Sequence, residues 1–229
     1  MKPIRKVSVY LTIFIGLTFN NANSEQAECS IKKKIFDSVI DESLNLLKQD
    51  DPVLIEAVKK LIIPPSEATV DYNFTAKEPK LLGQYGQVRD LIELLGKQDG
   101  GFFIEAGAYD GEEYSNSLYF EMKKNWKGLL VEPNPDALEQ LLTKNRKAHI
   151  FPRCLSTKKT PEVVEFDAAG LIGGIIHEGR EPGGLTSDPE VFDNVPENHN
   201  TYYNRRTIRL QCFPLYSVLM ALGNPTVKL

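Results

Sequence analysis

Glu105, Gly107 and Gly111 form the pattern E-x-G-x-x-x-G, and Glu132 follows Gly111 by 21 residues. Glycines at the end of a strand let the chain turn tightly and approach a ligand closely. The N–H groups that open the next helix can then hold polar groups of that ligand. An acid at the end of the following strand, about 20 residues on, bonds a ribose hydroxyl in nucleotide-binding folds. The middle glycine of G-x-G-x-x-G is missing, and Tyr109 and Asp110 fill the turn. Asp110 would repel a pyrophosphate, and bulk at the turn would keep one at a distance. This argues against a nicotinamide dinucleotide. It suits a cofactor with a cationic or zwitterionic arm, such as S-adenosylmethionine, with Glu105 and Asp110 toward the arm and Glu132 toward the ribose. The same residues have a plainer reading: Gly107 and Gly111 as turn glycines, and Glu132 as an acid favoured by a helix N-terminal dipole.

Such a turn needs strands and helices to hold it. FFIEAGA at 102–108 reads as an apolar strand ending on the turn, and SNSLYFEMKKN as the helix after it, with Leu118, Phe120 and Met122 inward. KGLLVEP at 127–133 is the second strand. DALEQLLTKNRK at 136–147 is the second helix, with Leu138, Leu141 and Leu142 inward. HIFPRCL at 149–155 is the third strand. Alternation of this kind predicts a parallel α/β sheet. Upstream, apolar residues at helical spacing from about Cys29 to Lys60 predict two helices broken at QDDP, 49–52. Asp50 or Asp51 would cap the second, with Pro52 in its first turn. Residues 64–84 read as a surface loop, and 87–101 as a short helix closed by glycines. Downstream, PEVVEFDAAG and TIRLQCFPL read as strands flanking a Gly/Pro/Asn-rich insertion at about 168–206. Loops of that length are usually functional covers or disordered. LYSVLMALG is a short helix, and TVKL begins a further strand.

The chain has 229 residues, 41% hydrophobic and 25% charged, with a net charge of −4. That fits one ordinary globular domain and gives no basic face for nucleic acid. Lys2, Arg5 and Lys6 precede an apolar run from Val7 to Phe19, then NNANSEQ with small residues. This is the pattern of a secretory signal peptide over 1–24, with an uncleaved membrane anchor as the alternative. The run is about 20 Å of helix, short of the ~30 Å hydrocarbon core. In an oxidising compartment, Cys154 and Cys212, both in or beside strands, are the expected disulfide, with Cys29 left over. Asn73-Phe74-Thr75 is a glycosylation sequon, meaningful in a secreted chain. His149, His177 and His199 have no metal-ligand spacing. His177 or Glu178 could supply a general base, and Tyr109, Tyr114 and Tyr119 read as packing residues.

The stretches GFFIEAGAYDGEEYSNSLYFE, WKGLLVEPNPDALEQLLTKNRKA and CFPLYSVLMALG resemble the FkbM-type methyltransferase family, and more closely its animal Star-like branch. YGQ at 85–87 and DDPVLIEAVKKLIIPPS at 50–66 are similar to that branch too. The resemblance covers about residues 50–229. It implies a class I, Rossmann-like methyltransferase domain over 85–229 behind a helical N-terminal extension over 25–84. It implies S-adenosylmethionine at Glu105, Gly107, Asp110, Gly111 and Glu132, with oxygen-methyl transfer to a small-molecule or glycan hydroxyl in the enzymatic members. In the Star-like branch it implies trafficking of partner proteins in the secretory pathway with no methyl transfer. Family members continue past TVKL into a strand with an Asp-x-Glu-Gly segment. The expectation is therefore a domain cut short after the start of its fourth strand.

Overall fold

Asp51 starts the first helix because its side chain accepts from the N–H of Val53 at 2.8 Å and Pro52 pre-sets the helical φ. This helix, α1 (Pro52–Leu61), follows a 3₁₀ turn at Glu42–Leu46. In a computed structural model, the described residues are 40–81, 83, 86–95, 98–177 and 206–225. The expected signal segment, Cys29, Tyr85 of the YGQ motif, most of the 168–206 insertion and TVKL lie outside them.

Three parallel strands carry the candidate turn. They are β1 (Phe102–Ala106), β2 (Lys127–Val131) and β3 (His149–Phe151), in that spatial order. Helices α2 (Gln87–Leu95), α3 (Leu118–Lys124) and α4 (Pro135–Thr143) alternate with them. Asn134 caps α4 by accepting from the N–H of Asp136, and Pro135 occupies the first turn. The chain is thus mixed α/β with a parallel three-stranded sheet. Leu129 and Val131 of β2 pack with Phe102 and Phe151 against Leu54 and Val58 of α1 and Val218 of α5 (Leu215–Ala221). Leu130, pointing the other way, is also fully enclosed. Both faces of β2 are therefore covered, as parallel sheets require.

The third expected strand is two. Pro152 cannot donate to a ladder, and the chain leaves the parallel sheet there. β4 (Cys154–Ser156) joins a second sheet with β5 (Glu162–Ala168), β6 (Gly174–Ile175) and β7 (Arg206–Pro214), in the order β4-β7-β5-β6. β5 and β7 pair antiparallel over seven residues each, from Glu162 opposite Cys212 to Ala168 opposite Arg206. Cys154 and Cys212 face each other across β4 and β7 and are disulfide-bonded.

Helices α3 and α4 are shorter than their sequence patterns. α4 stops at Thr143, because Asn145 takes a left-handed φ of 56°. In α3, Met122 is half-buried while Glu121 is enclosed. Among the described residues no helix is long and apolar enough to cross a membrane.

Candidate functional site

The end of β1 runs into a turn with three left-handed residues: Gly107 (φ 79°), Tyr109 (φ 51°) and Gly111 (φ 75°). The N–H groups of Gly107 and Ala108 both donate to the carbonyl of Val131, at 2.9 and 3.0 Å. The turn is thereby sewn to the end of β2. A Cβ on Gly107 would meet nothing within 4 Å, so this glycine opens onto space. A Cβ on Gly111 would sit 2.2 Å from Cδ1 of Leu141. Gly111 is there so that α4 can close on the turn.

Asp110 is buried, and its Oδ1 accepts from the N–H groups of Glu112 and Glu113 at 2.9 and 2.7 Å. It shapes the chain that leaves the turn. Glu105 is similarly committed. Its Oε1 accepts from Asn116 N–H at 2.6 Å, and its Oε2 from the hydroxyls of Ser115 and Ser117 at 2.8 and 2.5 Å.

Behind these residues lies a buried ionic layer that the sequence reading did not anticipate. Arg146, 1% exposed, holds both carboxylate oxygens of Glu121 through Nε and Nη2 at 3.0–3.1 Å. Its Nη1 donates to the carbonyl of Gly111 and to Ser115, and its Nη2 reaches Ser117. Lys144 donates to Glu112 at 2.7 Å and to the hydroxyl of Thr75 at 2.6 Å. Glu112 also accepts from the N–H groups of Thr75 and Ala76, and these bonds hold its carboxyl below the usual range despite the cost of burial. The signal available in the sequence was Asn145 in TKNRK. A residue tolerant of left-handed φ there turns Lys144 and Arg146 off the helix and inward.

Glu132 stands just past the end of β2, 5% exposed. Its Oε2 accepts from Tyr109 N–H at 2.7 Å and its Oε1 from Asn134 N–H at 2.8 Å. Burial raises its pKa to about 7, against the pull of those two backbone bonds. Each oxygen keeps a lone pair for a further donor.

Glu132 and Gly107 line one cavity of about 290 Å³ at the carboxyl ends of β1 and β2. Leu155 and Phe166 of the second sheet wall it on the far side. Gly170 and Leu171 of a 3₁₀ turn, with Gly173, Gly174 and Ile175, also line it. The first residues of the expected insertion thus help cover the site. Of the five candidate residues, Gly107 and Glu132 face the cavity. Glu105, Asp110 and Gly111 are not among its lining and build the turn from behind. Cys154, beside its disulfide partner, lines it too. Among the described residues no His/Cys/Asp/Glu group could hold a metal ion. Asn73 is exposed, with its Nδ2 donating to the carbonyl of Thr143 at 3.0 Å. Compared with known proteins, the chain matches no family model, no curated protein and no solved structure.

Proposed function

We propose that this chain is a methyltransferase-like protein of class I Rossmann-like fold that binds S-adenosylmethionine in the cavity beside Gly107 and Glu132. The single observation that carries this reading is the placement of Glu132. An acid at the carboxyl end of the second parallel strand shares a cavity with an unobstructed glycine at the end of the first. Ligands of open α/β sheets bind at that edge. The ionised Glu132 accepts the two ribose hydroxyls, Gly107 lets the cofactor approach the backbone, and the apolar wall of Leu155, Phe166 and Ile175 takes the base. In the enzymatic form of this reading, the reaction is transfer of the methyl group to a hydroxyl oxygen of a small molecule or glycan. Alignment and exclusion of water supply most of the acceleration for such a transfer.

Calorimetric titration with S-adenosylmethionine tests it, on the chain and on Glu132→Gln. Micromolar binding weakened at least about tenfold by the substitution is the expected result. Binding indifferent to Glu132, or none by the folded chain, would end the assignment.

A second reading has its own observation. Among the described lining residues, Tyr109 and Glu132 are the sole candidates for proton chemistry, because Cys154 is held in a disulfide. The Glu132 carboxylate already holds the turn. This favours a Star-like protein that keeps the pocket as scaffold and acts by binding partner proteins. The disulfide supports a route through an oxidising secretory compartment. Cofactor binding without methyl incorporation into any extract fraction would favour this second reading.

A further inference from the structure

Arg153 lies between β3 and β4 at the carboxyl edge of the parallel sheet, next in the chain to Cys154 of the cavity wall. It is 6% exposed. Its Nη1 donates to the carbonyl of Pro152 at 2.6 Å. Among the described residues no carboxylate, second acceptor or aromatic ring meets the rest of the guanidinium. Burial alone pulls its pKa down, with no acid to offset it.

A buried charge without a counter-charge is costly, and native proteins pair such groups. Arg146 shows what the missing partner looks like. It spends Nη1 on a backbone carbonyl and grips the Glu121 carboxylate with the fork formed by Nε and Nη2. Arg153 spends Nη1 in the same way and leaves that fork open. The fork matches two oxygens of one planar or tetrahedral oxyanion.

We propose that the Nε/Nη2 fork of Arg153 binds an oxyanion, a carboxylate or phosphate carried by a ligand that reaches the carboxyl edge of the sheet. The site goes beyond the ribose-binding role of Glu132 and does not depend on it. The anion has two sources: the carboxylate of S-adenosylmethionine itself, or an acidic second substrate.

The test is a titration of the intact chain with inorganic phosphate, following arginine Nε–H resonances by NMR, beside Arg153→Gln and Arg153→Lys. The expected result is a saturable shift of one Nε–H resonance that is absent in the Gln variant. The Lys variant keeps the charge but loses the fork, so its phosphate affinity, read by calorimetry, falls at least about tenfold. Both variants should melt at or above the temperature of the parent, because a lone buried charge has been removed or made more mobile. No saturable shift, or one that survives in Arg153→Gln, overturns the proposal. Titrations with S-adenosylmethionine and its decarboxylated analogue identify the source. Weakening of the first alone by Arg153→Gln assigns the cofactor's carboxylate. Weakening of neither, with phosphate binding still dependent on Arg153, assigns an acidic second substrate. Failure of the parent to bind S-adenosylmethionine would remove the cofactor reading and leave the phosphate result standing.

Discussion

Burial and hydrogen bonding pull Glu132 in opposite directions. Two backbone N–H groups favour its ionised form, and loss of water disfavours it more, so its pKa is raised to about 7. A raised folded-state pKa means the folded chain holds this proton more tightly than the unfolded chain. The stability it contributes is full below the unfolded value of about 4.3 and is lost as pH climbs through 7. The cost at high pH is on the order of 3 kcal/mol. Thermal melts of the ligand-free chain should therefore fall between about pH 5 and pH 8, and Glu132→Gln should flatten that fall. A diol ligand needs the ionised carboxylate, so its affinity should rise over the same interval. The two glycines differ in a way that melting and binding can separate. Gly111→Ala meets Leu141 as well as a left-handed φ and should lose about 2–4 kcal/mol in denaturant unfolding. Gly107→Ala meets only the φ, about 1 kcal/mol, and should show its larger effect in ligand affinity.

The elements around the turn depend on charges that their hydrophobic patterns conceal. In α3 the period marks Leu118, Phe120 and Met122, but Glu121 is enclosed because Arg146, just past the end of α4, turns in to meet it. No spacing rule pairs residues 25 positions apart, so this layer was not legible. The strand–turn–helix succession was legible, because apolar runs, glycines and caps are local. The split of HIFPRCL had its sign in Pro152, but the second sheet that receives β4 depends on β7, more than 50 residues later. Likewise the sequence located Glu105, Asp110 and Glu132, but it could not assign their partners: Ser115, Asn116 and Ser117 for Glu105, the N–H groups of Glu112 and Glu113 for Asp110, and those of Tyr109 and Asn134 for Glu132. Arg146→Ala should cost about 3–5 kcal/mol in chemical denaturation, since it strands Glu121 without a counter-charge. Replacing the pair together, Glu121→Leu with Arg146→Met, should regain most of that stability. Ligand affinity should stay reduced in the pair, because the carbonyl of Gly111 and the hydroxyls of Ser115 and Ser117 have lost their donor.

At the scale of the whole molecule, the two sheets meet over the cavity, and the Cys154–Cys212 bond fixes the second sheet across a sequence separation of 58 residues. Closing a loop of that size removes unfolded-state freedom worth about 4 kcal/mol. Cys154→Ala with Cys212→Ala should lower the unfolding free energy by about 2–4 kcal/mol, and a reductant should lower the melting temperature of the parent but not of the variant. Ligand binding should weaken along with it, since Cys154 is part of the cavity wall. The segment 73–76 docks on Glu112, Thr143 and Lys144. Thr75 donates its N–H to Glu112, and its hydroxyl oxygen accepts a hydrogen bond from Lys144, while Asn73 donates to the carbonyl of Thr143. An oligosaccharide transferase reads its acceptor through the Thr hydroxyl, and here that hydroxyl is already engaged. A sugar installed on Asn73 would project from an exposed residue and could keep the bond to Thr143 through the remaining N–H. The finished fold leaves room for the sugar, but it holds the Thr75 hydroxyl against Lys144, so transfer is favoured before that contact forms. In a chain routed through a secretory compartment, sugar transfer to Asn73 would compete with the docking of Thr75, and a slower-folding variant would carry more sugar there than a faster one.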